Sequence, residues 1–292
     1  AVTGVQTCAL PIWLDPEKPP KTWIEVAQAA AKLKATGHTC PFTTSWVSWT
    51  QLESFSAWHN VEFASKGNGM RGLDTRLTFN TPLHVRHIEN LANMAKQGLF
   101  VYKGRMSTPE PSFISGECAM ITTDSREHID FLEAKGVELG VAPLPYHDDV
   151  YGGRQHTLAD GASLWVGAGK SPAEYKQAAK FVSFLLSPEM QVEMVRIYGG
   201  LPLTSAARAA ARSKILQDGD KTLEIAYASM KGRGASSLPH VADADPVRII
   251  ADEELEAVWS DKKPAKAALD TAVSRGNAVL NAKPALKKAQ PF

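Results

Sequence analysis

The chain has 292 residues, 44% hydrophobic and 22% charged, enough apolar material for a sizeable core and too much for a disordered polymer. Lysine and arginine number 32 against 31 aspartates and glutamates, a formal charge of +1, so no global field draws the protein to nucleic acid or to a membrane surface. A charged ligand must be held by local side chains, no apolar run reaches the roughly 20 residues that span a bilayer, and no signal-peptide pattern opens the chain.

The first twelve residues, AVTGVQTCALPI, carry no charge and no clear periodicity. One back-translation of Val2 to Ile12 matches a common sequencing-library adapter. Residues 1–12 are therefore expected to be a non-native artefact, with Trp13 suspect and the original start, including any export signal, out of view.

From Leu14 the organisation is regular. LDPEKPP reads as a crossing segment, and Thr22 with Glu25 forms a capping box that opens a helix with Val26, Ala30 and Leu33 on one face, stopped by Gly37. A second helix follows Pro82 with Val85, Ile88 and Leu91 inward. Others are capped by Ser171 and Ser187, the latter stopped by Gly199 and Gly200. CAMITT (118–123), LGVAPLP (139–145) and ASLWVGA (162–168) have strand character. Helices alternating with short buried strands predict an α/β domain over 13–200 with ligands at the carboxyl ends of strands, and 201–292 reads as nearly all helix.

Catalytic and metal motifs are missing from this pattern. His84 with His87 is the one close histidine pair, read as surface or capping residues, and no zinc spacing, nucleophile elbow or Walker loop occurs. KGNGMRG (66–72) reads as a loop, and the acid pairs Asp148/Asp149 and Glu253/Glu254 as solvated faces. No metal, cofactor or catalytic residue is assigned.

The stretch SWVSWTQLESFSAW holds three of the seven tryptophans within thirteen positions, among polar neighbours. If a strand ends near Thr43, Trp46 and Trp49 fall just beyond it at i and i+3 and face a cleft together. Trp58, on the following helix, reads as core packing. Rigid aromatics in a cleft suit a polyol, a sugar or a cationic head group.

On LDPEKPPKTW, SWVSWTQLESFSAW, ASLWV, FLLSPEMQ, GGLPLT, DPVRIIADEELEAVW and LDTAVSRGN, the chain resembles the extracellular solute-binding proteins of bacterial ABC importers, specifically the group that binds sn-glycerol 3-phosphate. The resemblance implies a periplasmic-binding-protein-like α/β fold in which this chain is mostly the second lobe, with C-terminal helices returning to an incomplete first lobe. It implies a non-catalytic, periplasmic, monomeric protein that captures a glycerol phosphate and hands it to a membrane permease. Trp46 and Trp49 would form an aromatic wall, Gly161 would offer a backbone N–H, and Arg248 would supply the cation for a phosphate. A surface arginine paired with Asp245 or Glu253 is the other reading of Arg248.

Two departures from the family pattern stand out. Asp124, beside Ser125, places a carboxylate where a hydroxyl is usual and where it would repel phosphate. Gly200 stands where a ligand-contacting tyrosine is usual. A glycerophosphodiester such as glycerophosphocholine could use that space, with Asp124 offsetting its cation; a sugar is a further alternative. From other classes, a secreted glycerophosphodiester or glycoside hydrolase and a purely structural interaction domain remain open. Cys40 and Cys118 flank strands of one sheet and are either a disulfide, as export would allow, or two buried thiols.

Overall fold

The computed structural model describes residues 2–6, 18–72, 74–134, 139–151, 153–159, 161, 163–214, 221–231, 239, 241 and 244–282. The helices begin where the sequence supplies a short polar cap. Helix α1 (Trp23–Ala35) opens on the complete Thr22/Glu25 capping box and buries Trp23, Val26, Ala29, Ala30 and Leu33. Strand β1 is Val2–Gln6, and β2 is the two-residue Thr43–Thr44. After β2 the chain makes a π-helical turn over Trp49–Ser54 that runs directly into α2 (Phe55–Trp58).

KGNGMRG is a loop around the short turn α3 (Ser65–Asn68), where Lys66, Gly67 and Gly69 take positive φ. Helix α4 (Pro82–Lys96) is capped by Thr81, and α5 (Glu110–Ile114) precedes β3 (Met120–Thr123). Then come α6 (His128–Glu133) and β4 (Leu139–Pro143). The Ser171/Glu174 box opens α7 (Pro172–Leu185), and Ser187 caps α8 (Pro188–Tyr198). Four further helices follow: α9 (Ser205–Lys214), α10 (Thr222–Ser229), α11 (Ala244–Trp259) and α12 (Ala265–Ala282).

Among the described residues the strands form one sheet in the order β2–β3–β1–β4. Strands β2 and β3 are parallel, with Thr43 opposite Ile121, and β1 runs antiparallel to both β3 and β4. Val2–Gln6, which belong to the segment read from the sequence as non-native, complete the ladder between β3 and β4. Backbone pairing needs only an extended chain with free N–H and C=O groups, which these residues supply whatever their origin.

The main core joins α1, Phe42, α4 and the α11/α12 pair through Trp23, Leu33, Ile88, Leu91, Leu255 and Leu269. Gly276 of α12 sits where a Cβ would lie 2.5 Å from Leu77 Cδ1, so its lack of a side chain lets the helix settle on that residue. None of the described helices is long and apolar enough to cross a membrane.

Three expectations need correction. ASLWVGA is not a strand over its described residues, and Leu164, Trp165 and Val166 are exposed, Trp165 to 91%, because no neighbouring strand pairs with them. His84 and His87 are buried in the core rather than on the surface, although His84 does share the Thr81 cap. Glu254 is buried against Lys263 and Arg275 instead of lying on a solvated face.

Cys40 and Cys118 form a disulfide, their Cα atoms 4.5 Å apart across a parallel bridge just before β2 and β3. It closes a loop with a sequence separation of 78, and a constraint of that length acts mainly by removing freedom from the unfolded chain. Replacing both cysteines by alanine should lower the unfolding free energy by about 2 to 4 kcal/mol in urea denaturation. Unchanged stability would mean that the crosslink does not constrain the unfolded state.

Candidate functional site

Because β2 and β3 are parallel neighbours, the chain leaves both at the same edge of the sheet. Ser45 and Trp46 follow β2; Asp124 and Ser125 follow β3. The edge is held by hydroxyl and amide contacts: Ser45 N–H donates to Thr122 O at 3.0 Å, Ser45 Oγ to Thr123 Oγ1 at 2.6 Å, and the buried Gln51 amide to both Thr44 Oγ1 and Thr122 Oγ1 at 2.9 Å.

Trp46 has φ +49, a left-handed conformation that costs a bulky residue on the order of 1 to 3 kcal/mol. It is kept there by its N–H donating to Met106 O at 2.8 Å and its carbonyl accepting from Thr50 N–H at 2.8 Å. The indole lines a recess of about 410 Å³ with Ser107, Glu110, Arg126, Glu127, Asp130 and Tyr198, and among the described residues its buried Nε1–H has no acceptor. Trp49, 8% exposed, packs with Ala57 and Leu158, and Trp46 lies against that cluster. Trp58 is buried as expected.

Arg248 of α11 reaches the same wall. Its guanidinium lies 5.2 Å from the Trp49 ring centroid and donates Nε–H to Glu53 Oε1 at 2.7 Å and Nη2–H to Glu53 Oε2 at 3.0 Å. Glu53 was missed by sequence reasoning, which offered Asp245 or Glu253 as the partner. Asp245 lies 3.7 Å from Nη1, whereas Glu253 pairs with Arg275. The Glu53 side chain is 5% exposed and that of Arg248 30%, so Glu53 needs the cation to remain charged.

Two more residues on that face of α11 repeat the clamp at spacings of four. Asp252 accepts Ser48 N–H at 3.2 Å, and Glu256 takes Tyr102 O–H at 2.8 Å and Arg105 Nε–H at 2.7 Å. The R-x-x-x-D-x-x-x-E spacing in DPVRIIADEELEAVW was the available signal, since i, i+4 and i+8 share one helix face.

Asp124, Ser125 and Gly200 adjoin residues that line the recess. Asp124 caps the turn after β3 by accepting Arg126 N–H at 2.7 Å, and its carboxylate pairs with the Arg126 guanidinium at 2.7 Å. The repulsion expected from Asp124 is thus offset by Arg126, another residue the sequence reading missed. Ser125 is half-buried on the same turn. Gly199 has φ +66, and a Cβ there would lie 1.9 Å from Arg126 O, so only glycine lets the end of α8 approach this turn and bring Tyr198 to the recess. Gly200 follows with open space around its Cα. Gly161, three residues beyond Leu158, likewise has open space where a Cβ would stand.

Glu110 and Glu127 share the recess floor. Burial, and then the hydrogen bond to Glu127, push the Glu110 carboxyl up to about 8; burial also raises Glu127. At neutral pH the pair therefore holds a proton between its two carboxyls. No group of His, Cys, Asp and Glu among the described residues is arranged to hold a metal.

The family model described as bacterial extracellular solute-binding protein matches residues 6–220. The sn-glycerol-3-phosphate-binding periplasmic protein UgpB of Pectobacterium atrosepticum is 41% identical over 276 residues, covering 91% of this chain and 61% of its own length. The chain thus spans about three fifths of the curated relatives it matches. Among solved structures, the cyclic alpha-maltosyl-1,6-maltose binding protein of Arthrobacter globiformis superposes with TM-score 0.72 at 22% identity, over 96% of this chain and 70% of its own. UgpB of Mycobacterium tuberculosis in complex with glycerophosphocholine gives 0.70 at 15%, over 96% and 68%. At these identities the likeness is one of fold.

A folded-state carboxyl raised above its unfolded value favours folding below the unfolded value of 4.5, and that contribution is lost as pH rises toward 8. Glu110→Gln should therefore be progressively more stable than the wild type between pH 5 and 8, by roughly 1 to 2 kcal/mol at pH 8 after allowance for solvent screening. Thermal melts across that range check the sign, and a difference independent of pH would show that Glu110 is not held protonated.

Proposed function

The chain belongs to the bacterial extracellular solute-binding protein family, and from that membership we propose that it is the substrate-capturing component of an ABC importer, taking sn-glycerol 3-phosphate or a glycerophosphodiester in the periplasm for a membrane permease. The observation that carries this reading is Arg248, lying over the Trp49 ring and oriented by Glu53. An aromatic face for the glycerol carbons and a fixed guanidinium for the phosphate are what an organophosphate requires.

The ligand would lie along Trp46 and Trp49 with its phosphate toward Arg248 and its far end toward the recess. The recess favours the diester as that ligand: Glu127 and Asp130 would attract a positively charged head group, while Tyr198 and the open space at Gly200 leave it room. The protein is a monomeric carrier in this reading, without catalysis, cofactor, metal or nucleic acid. Stoichiometric binding without turnover separates it from a hydrolase.

Affinity in such a carrier comes from enclosure, which desolvates the ligand and completes its polar contacts. We place the opposing wall in the part of the relatives' length that this chain does not span. Leu164, Trp165, Val166, Phe181 and Phe184 are exposed apolar side chains that a second wall could cover.

The test is calorimetric titration of glycerol 3-phosphate and glycerophosphocholine into a chain extended at its front with the corresponding region of the Pectobacterium relative. Arg248→Ala alone would strand a buried Glu53 charge and blur binding with folding, so the comparison is Glu53→Gln against Glu53→Gln/Arg248→Ala. The double substitution should weaken binding by about 1.5 to 3 kcal/mol, the range for a charged hydrogen bond. Equal affinities would remove Arg248 from the site.

A further inference from the structure

Four histidines, His59, His84, His87 and His147, cluster around Phe55 next to the turn that carries Trp49, and their hydrogen bonds fix their protonation. Gln51, in the turn that carries Trp49, donates both amide hydrogens to Thr44 and Thr122, so its Oε1 can only accept. His87 Nε2, 3.0 Å from that oxygen, must carry a hydrogen, which leaves His87 Nδ1 as the acceptor for His147 Nε2–H at 3.4 Å. His147 N–H donates to His59 Nε2 at 3.0 Å, so the His59 hydrogen sits on Nδ1 and points to Phe55 O at 2.9 Å.

Ser56 Oγ donates to Leu52 O and accepts from His84 Nε2–H at 2.8 Å, leaving His84 Nδ1 to accept from Thr81 Oγ1–H at 2.7 Å. His59, His84 and His87 are thus each required to be acceptors. A second proton on any of them sets two donors against each other inside the core. His87 is also stacked on Phe55, with ring centroids 4.0 Å apart.

We propose that this histidine–Gln51 chain is a proton-sensitive strut: protonation of the cluster in acid breaks its hydrogen bonds, frees Gln51 and loosens the turn that holds Trp46 and Trp49. If the wall binds ligand as proposed above, the same event releases it. That consequence rests on the binding reading; the strut itself does not.

Burial holds His59 and His147 down to about 4 and His84 to about 3, and holds His87 well below its ordinary value. Histidines depressed in the folded state contribute stability that is present above 6.5 and lost as pH falls toward those values, tenfold in the folding equilibrium per pH unit for each histidine. The charges acting on the cluster are Arg86 of α4 and Asp148 and Asp149 of the loop after β4, with Arg86 and Asp149 paired at 2.7 and 3.1 Å. Helix α1 contributes the uncharged Trp23 ring.

The test uses the 292-residue chain without ligand, so its failure and failure of the binding reading are separate outcomes. Tryptophan is replaced biosynthetically by 5-fluorotryptophan, the resonances are assigned through Trp46→Phe and Trp49→Phe, and fluorine spectra are followed from pH 8 to 4 beside far-ultraviolet circular dichroism. The Trp46 and Trp49 resonances should shift or broaden below about pH 5, with a dependence steeper than one proton, while helix content holds. In His147→Gln, which keeps a donor toward His87 but cannot titrate, the midpoint should fall by half a pH unit or more.

Wall resonances that move only with global loss of helix, or a midpoint unmoved by the substitution, would overturn the proposal. Should the variant fail to fold, nitrogen NMR of the wild-type imidazoles decides. Neutral rings down to pH 5 support the strut, and titration of the cluster near 6.5 contradicts it.

Discussion

A carboxylate removed from water stays charged only if a cation is fixed beside it, and Glu53 is such a carboxylate. Its partner lies 195 residues away in sequence, on α11, so the pair joins the π-helical turn after β2 to the C-terminal helices. Removing the arginine would strand the buried Glu53 carboxylate without its cation. The guanidinium that satisfies Glu53 also lies against Trp49, which couples the position of the wall to the packing of α11. Asp252 and Glu256, one and two turns further along, hold Ser48 and the Tyr102–Arg105 segment in the same way. That segment leads to Met106, whose carbonyl fixes Trp46.

The opposite side of the wall is built from neutral polar groups. Thr44, Thr122, Thr123, Ser45 and Gln51 are buried, yet they satisfy one another across the ends of β2 and β3, which are tied at their other ends by the Cys40–Cys118 disulfide. A fully satisfied buried network of this kind specifies one register, because a slip would orphan several donors at once. A strained Trp46 and a close Gly199 are tolerated on that rigid edge. Together they bring one indole, the Asp124–Arg126 pair and the Glu110–Glu127 carboxyls around a single recess.

Much of this was legible in the sequence because the signals were local. The T-x-x-E and S-x-x-E boxes place the starts of α1 and α7, and the Trp46/Trp49 spacing beyond a strand end brings the two indoles together, although Trp46 lines the recess while Trp49 is buried against Ala57 and Leu158. Partners set by tertiary approach were not legible. Nothing near Glu53 in sequence identifies Arg248, and Arg126 meets Asp124 only because the turn after β3 takes its capped form. His84 and His87 read as surface or capping residues since histidine carries no hydrophobic signature; their burial follows from ring stacking on Phe55 and acceptors supplied by distant segments. ASLWVGA shows the converse limit, as strand-like composition forms no strand over its described residues and leaves Leu164, Trp165 and Val166 exposed.

The central claim is that a phosphate meets the guanidinium of Arg248 on the aromatic wall. The most direct measurement is solid-state dipolar recoupling between the phosphorus of bound glycerol 3-phosphate and nitrogen-15 in labelled arginine, made on the chain extended to the length of its relatives. The account predicts a clear phosphorus–guanidinium coupling that disappears in Arg248→Lys while the ligand remains bound at reduced affinity. A coupling that survives Arg248→Lys, or bound ligand with no coupling to any arginine, would contradict it.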